Sequence, residues 1–188
     1  TLAVDCSAAT SFAPPGGVTW PHDDDICDPS TPYNLQGILV VAYDTSDLSG
    51  AYCLCNLSGS ILIEQTSALT DLAGLGNVSR IDGLFVDNNY GITSLHGLER
   101  LETIGLMLRL KENYELVDLS GLNGLTKVRD SVELEFNYDL RSLHGLENLE
   151  RIGGALTLTA IADFADFADF ADFLDVLVGD FLIRMRDI

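Results

Sequence analysis

The sequence between residues 81 and 158 is organised by a repeat of about 24 residues, within the range of about 20–50 residues that is typical of a solenoid. The dipeptide Asn-Tyr occurs three times at this spacing, at Asn89-Tyr90, Asn113-Tyr114 and Asn137-Tyr138. After each dipeptide an apolar residue returns at every third position, as at Ile92, Leu95, Leu98, Leu101 and Ile104. In a solenoid each repeat buries its apolar face only against its neighbours.

Each repeat also contains a short segment in which apolar and polar residues alternate, as in Leu108-Arg109-Leu110, Val132-Glu133-Leu134 and Leu156-Thr157-Leu158. A period of two predicts a β-strand with its apolar residues pointing inward and its polar residues pointing outward. The three-residue spacing elsewhere is shorter than the roughly 3.6 residues of an α-helical turn, and it predicts short bridges and bends. The sequence therefore predicts a mainly β, leucine-rich solenoid with about 24 residues per coil.

Stacked coils would place equivalent residues above one another at a spacing of about 4.8 Å. Asn89, Asn113 and Asn137 are then predicted to form an internal amide ladder, because buried amides need hydrogen-bond partners. The tyrosines that follow them would form an aromatic stack beside this ladder. We interpret all six residues as a structural ladder and not as a binding site.

Two segments carry a family resemblance. Residues 92–105 read Ile-Thr-Ser-Leu-His-Gly-Leu-Glu-Arg-Leu-Glu-Thr-Ile-Gly, and residues 140–153 read Leu-Arg-Ser-Leu-His-Gly-Leu-Glu-Asn-Leu-Glu-Arg-Ile-Gly. They resemble the receptor L-domain family, the leucine-rich modules of insulin- and EGF-receptor relatives, with similar repeats in fungal cell-wall and bacterial surface proteins. The resemblance covers residues 55–188, about 70% of the chain. It implies a short right-handed parallel β-helix and a non-catalytic role, but no ligand, because the shared residues are core residues.

The residues before the repeats differ in composition. Residues 1–35 are rich in turn-forming Pro and Gly, and all four cysteines, Cys6, Cys27, Cys53 and Cys55, lie in the first third of the chain. An even number of clustered cysteines predicts disulfides. A direct bridge within the CxC segment would be strained, so we expect Cys6 and Cys27 each to pair with one of the other two. A zinc site is the alternative, but this spacing fits it poorly. We therefore divide the chain into an N-terminal arm and cap, residues 1–54, and a solenoid, residues 55–188.

Two further stretches extend the strand pattern. Residues 36–43 predict one buried strand. Residues 60–63 predict the first strand of the solenoid, and the repeat spacing starts a series at Leu62 that continues through Val86, Leu110, Leu134, Leu158 and Leu182. At the other end, Ala-Asp-Phe is repeated between residues 162 and 173, with phenylalanine at the positions that leucine occupies in the preceding coil. This predicts a terminal coil, and a short helix over 163–177 is the alternative.

The chain is strongly acidic, with 10 basic and 29 acidic residues and a net charge of −19. Nucleic acids and anionic membranes are recognised by basic patches, so we expect neither as a partner. No apolar run is long enough to predict a membrane span. No signal peptide is visible, and the chain opens at Thr1 without Met, as a processed chain would. Calcium would suit the acidity, but His22-Asp23-Asp24-Asp25 lacks the spacing of a calcium loop.

The sequence shows no convincing catalytic motif. His96, Ser120 and His144 share one repeat position, but we place them on a variable outward corner and expect neither an enzyme nor a cofactor or metal site. The outward strand residues form the candidate interaction face, namely Arg109, Lys111, Glu133, Glu135, Thr157 and Thr159. Asn56 and Asn77 lie in Asn-x-Ser sequons and are candidate N-glycosylation sites in a eukaryotic host.

Together these features predict a non-enzymatic extracellular or cell-surface recognition or adhesion module that binds a protein or glycan through its flat strand face. The alternative is a structural subunit of an extracellular filament, sheath or cell wall, assembled from copies of the chain through the solenoid ends and the N-terminal arm. The phenylalanine-rich last coil and the lack of an obvious cap motivate this alternative.

Overall fold

The computed structural model describes residues 6, 9–13, 17–20, 32–161 and 182–186 of the 188-residue chain. In these residues the backbone forms short strands connected by bends and by 3-10 turns at Ser49–Cys53, Ala73–Leu75 and Ser120–Leu122. The strands are β1 Thr10–Phe12, β2 Val18–Trp20, β3 Tyr33–Gln36, β4 Leu39–Val41, β5 Leu54–Ser58, β6 Ser60–Glu64, β7 Arg80–Ile81, β8 Gly83–Asp87, β9 Thr103–Ile104, β10 Leu108–Lys111, β11 Lys127–Val128, β12 Val132–Glu135, β13 Arg151–Ile152, β14 Ala155–Thr159 and β15 Leu182–Arg186.

These strands form three parallel sheets that run along the solenoid. The largest has eight strands in the order β15-β14-β12-β10-β8-β6-β4-β2. A four-stranded sheet has the order β13-β11-β9-β7, and a three-stranded sheet has the order β1-β3-β5. Each strand pairs with the equivalent strand of the next coil, as in the alignment of Leu108 with Val132. The predicted mainly β, parallel solenoid with about 24 residues per coil is confirmed.

The core consists of aliphatic side chains stacked inside the coils. The five residues of one three-residue series, Ile92, Leu95, Leu98, Leu101 and Ile104, all have an exposed fraction of 0%. The three-residue spacing arises because bends and 3-10 turns bring the chain back to the axis sooner than an α-helix would. Burial of each such side chain stabilises the fold by about 1.5–3 kcal/mol.

The coils of the eight-stranded sheet lengthen along the chain before they become uniform. Strand pairing aligns Val18 with Leu39, Leu39 with Ile61, Ile61 with Leu84 and Leu84 with Leu108. The sequence separation between the two aligned residues, which we call a step, is one residue longer in each pair than in the pair before. The next two steps, from Leu108 to Val132 to Leu156, keep the length reached there. The step from Leu156 to Ile183 is longer again.

Two pairings in the predicted leucine series are therefore wrong. Leu62 pairs with Phe85, and Val86 pairs with Ile63, because the coil between them has one residue fewer than the period. Leu158 pairs with Met185, not with Leu182. A shift of one residue exchanges the two sides of a strand, so Leu62 is half-buried on the outer side and Ile63 is buried.

The sheets also reach into the predicted N-terminal arm. β4 and β2 belong to the eight-stranded sheet, and β1 and β3 stack on β5, so the predicted boundary at residue 54 does not coincide with a break in the sheets. The single strand predicted over residues 36–43 is instead two strands in different sheets, because the chain bends between Gln36 and Leu39. Gly37 adopts a φ of +130° in this bend, which residues with a Cβ avoid.

A disulfide between Cys6 and Cys55 confirms that Cys6 is attached to one cysteine of the CxC segment. Cys53 is disulfide-bonded as well, and Cys27 lies outside the described residues. The bridge closes a loop with a sequence separation of 49 residues, and loops of this size gain about 4 kcal/mol from cross-linking in a chain-entropy estimate.

The predicted terminal coil at Phe164, Phe167, Phe170 and Phe173 lies outside the described residues, as does the acidic stretch His22-Asp23-Asp24-Asp25. Beyond that gap, β15 pairs in register with β14. Within the described ranges, no helix has the length and hydropathy needed to cross a membrane.

Candidate binding face

A buried amide ladder holds neighbouring coils in register. Asn89 donates from Nδ2 to Asn113 Oδ1 at 2.9 Å, and Asn113 donates to Asn137 Oδ1 at 3.3 Å. Each Nδ2 also donates to a backbone carbonyl, as from Asn113 to Val86 at 2.8 Å. The ladder continues at Thr66, whose N–H and hydroxyl donate to Asn89 Oδ1. Because the amide groups of all three asparagines are engaged in the core, the ladder is structural.

A column of tyrosines runs along the outer side of the same corner. The ring centroids of Tyr90 and Tyr114 are 5.7 Å apart, and those of Tyr114 and Tyr138 are 6.1 Å apart. Tyr90 and Tyr138 are 55% and 54% exposed. Phe136 packs beside Tyr138 at 6.4 Å between centroids. The column therefore presents aromatic surface to solvent, next to the carboxyl ends of the large-sheet strands.

The outward side of the eight-stranded sheet, which we call the sheet face, comprises Leu62, Glu64, Phe85, Asp87, Arg109, Lys111, Glu133, Glu135 and Thr157. At its centre, Arg109 forms a bidentate ion pair with Asp87, with Nε at 3.2 and 3.0 Å from the two carboxylate oxygens. Its guanidinium carbon lies 5.0 Å from the centroid of the Phe85 ring. The hydrogen bond to Asp87 raises the pKa of Arg109 above its ordinary value, so the charge is permanent.

The second cation of the sheet face is also engaged. Lys111 Nζ lies 3.8 Å from Glu112 and 3.9 Å from Glu135, and 5.8 Å from the centroid of the Phe136 ring. In the described part of the chain, Glu64 and Glu133 form no ion pair. Carboxylates therefore exceed cations on this face.

A cavity of about 410 Å³ lies between these side chains and the adjoining turn. Five carboxylates line it together with only two cations, Arg109 and Lys111. Asn88, in the turn after β8, also lines the cavity, and its buried Oδ1 has no hydrogen-bond partner among the described residues. An unpaired buried acceptor typically costs about 1–3 kcal/mol.

Part of this site was predictable from the sequence. Arg109, Lys111, Glu133 and Glu135 lie side by side on the outward side of β10 and β12, where they line a cavity and not the flat face expected from the sequence. Thr157 lies beside Glu133 on β14, but Thr159 is only 8% exposed and adds little free surface.

Three residues of the site, Phe85, Asp87 and Asn88, were not predicted. Phe85 and Asp87 alternate with the buried Leu84 and Val86 of β8, so the signal of a strand is present in the sequence. A constant spacing of 24 residues places Phe85 beside Arg109 and Asp87 beside Lys111, so both could have been assigned to the outward side of the sheet from β10.

His96, Ser120 and His144 lie on solvent-facing corners. His96 Nδ1 lies 2.6 Å from Glu99, and His144 Nδ1 contacts Glu147 in the same way. The same carboxylates accept hydrogen bonds from the N–H groups of the glycines that follow the histidines. In the coil between, Ser120 N–H donates to an oxygen of the Asp118 carboxylate at 2.9 Å. These contacts close the corners of their own coils. Within the described ranges, no group of three His, Cys, Asp or Glu side chains is arranged to hold a metal ion.

The two sequon asparagines are half-buried and hydrogen-bonded. Asn56 Nδ2 donates to Asn34 Oδ1 at 3.1 Å, and its Oδ1 accepts from Ser79. Asn77 Nδ2 donates to the Tyr52 carbonyl at 2.6 Å. A glycan would attach to a nitrogen that already contributes to packing between coils.

Comparison with known proteins adds no functional information. No family model, no curated protein sequence and no solved structure matches this chain. The function must therefore be inferred from the chain's own surfaces, of which the sheet face with its cavity is the first candidate.

Proposed function

We propose that the chain is a non-enzymatic recognition or adhesion module that acts outside the cell or at its surface and binds a protein ligand through the sheet face. The observation that carries this proposal is that the cavity is lined by more hydrogen-bond acceptors and negative charges than donors and positive charges. Five carboxylates face two cations there, and the buried Oδ1 of Asn88 lacks a donor. A ligand that inserts a lysine or arginine side chain supplies the missing positive charge and donates hydrogen bonds to these carboxylates.

The aromatic surroundings support the same kind of ligand. Phe85 lies on the sheet face, and Phe136 with the tyrosine column borders it. Aromatic residues and arginine are enriched at the centres of protein interfaces. Aromatic rings also attract cations, by about 0.5–2 kcal/mol for each contact. Arg109 and Lys111 already lie over Phe85 and Phe136, so a basic segment would find the exposed rings of Tyr90 and Tyr138 beside the carboxylates.

The extracellular setting rests on three features. The Cys6–Cys55 disulfide is of a kind that persists in oxidising compartments. The net charge of −19 keeps an exposed module soluble. The receptor L-domain resemblance of residues 55–188 points in the same direction, since that family works mainly in extracellular binding and adhesion.

Selection from a displayed library of random peptides tests this proposal. We expect the protein to enrich lysine- and arginine-containing peptides. The double variant Glu64→Gln, Glu133→Gln should bind them at least about tenfold more weakly, as expected for lost charged hydrogen bonds. The variant Glu102→Gln, Glu150→Gln removes the same charge elsewhere and should bind normally. Failure to enrich basic peptides, or equal losses in both variants, would contradict the proposal.

The alternative of a structural subunit rests on residues of the last coil that lie outside the described part. It predicts concentration-dependent polymers in sedimentation velocity and in electron micrographs. A monomer that stays monodisperse across a wide concentration range would exclude assembly from this chain alone.

A further inference from the structure

A second surface, on the four-stranded sheet, concentrates positive charge in this acidic chain. Arg80, Thr103, Lys127 and Arg151 occupy one register position on β7, β9, β11 and β13. Arg129 follows shortly after Lys127 on the same coil. Three of the chain's ten basic residues thus lie on one small sheet, and a fourth, Arg129, directly follows one of its strands. We call Arg80, Lys127, Arg129 and Arg151 the cation row.

The charges of the cation row are not used within the described part of the chain. Arg109, Lys111 and Arg141 each have a carboxylate partner, whereas no carboxylate of the described residues pairs with a member of the row. Lys127 and Arg151 are direct neighbours across two strands, and like charges in such positions destabilise a sheet. The chain has 29 acidic residues that could serve as partners, yet none of those described forms an ion pair with the row. Internal ion pairing therefore does not explain why these cations lie together.

The row is narrow and straight. Its strands are only two residues long, so each coil offers little more than one outward side chain. At about 4.8 Å per strand, Arg80 and Arg151 are roughly 14 Å apart along the solenoid axis. Arg129 stands between Gly105 and Gly153, which hold the same position in the neighbouring coils and leave the surface low on both sides. This shape suits an extended chain lying along the axis.

A cavity of about 320 Å³ continues the row beyond Arg80. Amide and hydroxyl groups line most of it, and Arg80 with Asp82 completes it. These groups belong to Ser11, Asn34, Gln36, Asn56 and Ser58. Such side chains both donate and accept hydrogen bonds, as the hydroxyl groups of a sugar require. The neutral lining contrasts with the carboxylate-rich cavity of the sheet face.

We propose that the cation row and this amide-lined cavity form one track for an acidic polysaccharide, a linear sugar chain that carries carboxylate or sulfate groups as well as free hydroxyls. The flanking residues favour a saccharide over an acidic peptide. Glu102 and Glu150 are exposed directly before Thr103 and Arg151. They can accept hydrogen bonds from sugar hydroxyls, which the side chains of an acidic peptide such as poly-glutamate lack. This site is separate from the sheet face and does not depend on the ligand proposed for it.

Binding to defined polymers tests the track. The probes are polygalacturonate, dextran sulfate, neutral dextran and poly-glutamate, each titrated at about 20 mM and about 150 mM salt because screening weakens exposed ion pairs. We expect polygalacturonate or dextran sulfate to bind, more weakly at the higher salt, and neutral dextran not to bind. The preferred polymer distinguishes a uronate from a sulfated ligand.

Three variants locate the binding. Lys127→Gln with Arg151→Gln should weaken binding at least about tenfold. Arg141→Gln removes an exposed cation that pairs with Asp139 outside the row, and it should bind as the unchanged protein does. Gln36→Ala should weaken binding of the saccharide, because Gln36 lines the cavity, but leave any binding of poly-glutamate unchanged. Absence of polyanion binding, equal losses with Arg141→Gln, or poly-glutamate binding as tight as the saccharides would each overturn the proposal.

Discussion

Arg109 Nε lies 3.0 Å from Asp87 Oδ2 across two neighbouring strands, while the guanidinium group covers the ring of Phe85. The arginine thereby joins the acidic and the aromatic parts of the sheet face. Its side chain is 34% exposed and that of Asp87 is 15% exposed, so the pair is shielded from solvent better than a typical surface pair.

Arg109→Gln should destabilise the protein by about 1–2 kcal/mol, a value reduced for partial exposure. The variant leaves Asp87 without its main partner and removes the contact with Phe85. Urea denaturation measures the difference. Arg141→Gln is the control, because its partner Asp139 lies 3.9 Å away and both side chains are exposed, so its effect should stay within about 0.5 kcal/mol. Equal losses in the free energy of unfolding would show that the Arg109–Asp87 pair stabilises the protein no more than an exposed surface pair does.

Asn113→Ala should be among the most damaging substitutions in the chain. It leaves the Val86 carbonyl and the ladder neighbours without their buried partner, which we expect to cost about 2–4 kcal/mol. The matched control is Asn148→Ala, whose exposed Nδ2 donates to the Asn123 carbonyl at 2.8 Å. Its loss should cost no more than about 1 kcal/mol. Thermal and urea unfolding compare the two, and similar losses would contradict a structural ladder.

The turn after each large-sheet strand from β6 to β14 contains a residue with positive φ, and none of the five is a glycine, namely Gln65, Asn88, Glu112, Phe136 and Ala160. Side chains other than Asn and Asp disfavour this conformation by about 1–2 kcal/mol. Ala160→Gly should therefore stabilise the protein by about 0.5–1 kcal/mol, after the added chain entropy is subtracted. Ala155→Gly, at the first residue of β14, where no positive φ is required, should instead destabilise the protein by up to a similar amount. Chemical denaturation decides, and a destabilising Ala160→Gly would contradict the expectation.

Glu147 should contribute to stability in a pH-dependent way. Burial raises its pKa, but hydrogen bonds from the N–H groups of Glu147 and Gly145, together with His144, outweigh this, so the pKa lies below the ordinary value of 4.5. A carboxyl with a lowered folded-state pKa stabilises the fold above its unfolded pKa, and this stability is lost as the pH falls through the folded pKa.

The Glu147→Gln variant should therefore be less stable than the unchanged protein at neutral pH, by less than about 1 kcal/mol because the side chain is largely solvated. The two unfolding curves should converge as the pH falls below 4.5. Glu150→Gln, on the same coil but without these hydrogen bonds, is the control for the loss of one carboxylate. A constant difference between Glu147→Gln and the unchanged protein down to acid pH would show that ionisation is not involved.

The repeat made the architecture predictable, because three Asn-Tyr pairs and the leucine spacing each report the same coil. The period did not predict the strand register of those coils whose length differs from 24 residues. Leu62 and Val86 are one full period apart in the sequence, yet the sheet pairs Leu62 with Phe85. This register is fixed by the burial of Ile61 and Ile63 in the core, and that burial depends on how neighbouring coils pack.

The candidate sites were predictable to a smaller extent. Outward residues of β10 and β12 followed from alternation, whereas the orphaned Oδ1 of Asn88 depends on the hydrogen bonds of a turn. The cation row was not recognised, because Arg80, Lys127 and Arg151 lie in strands of two residues, too short to show alternation.

Between β2 and β10, each coil has one residue more along the eight-stranded sheet than the coil before it. The units are therefore not interchangeable along the chain. A duplicated unit copied from residues 108–131 should fit between coils of the same length. Inserted near β4, it would be longer than its neighbours and would pack poorly against them. Because neighbouring coils in this part differ in length, we expect a shift by one whole coil during folding to be disfavoured.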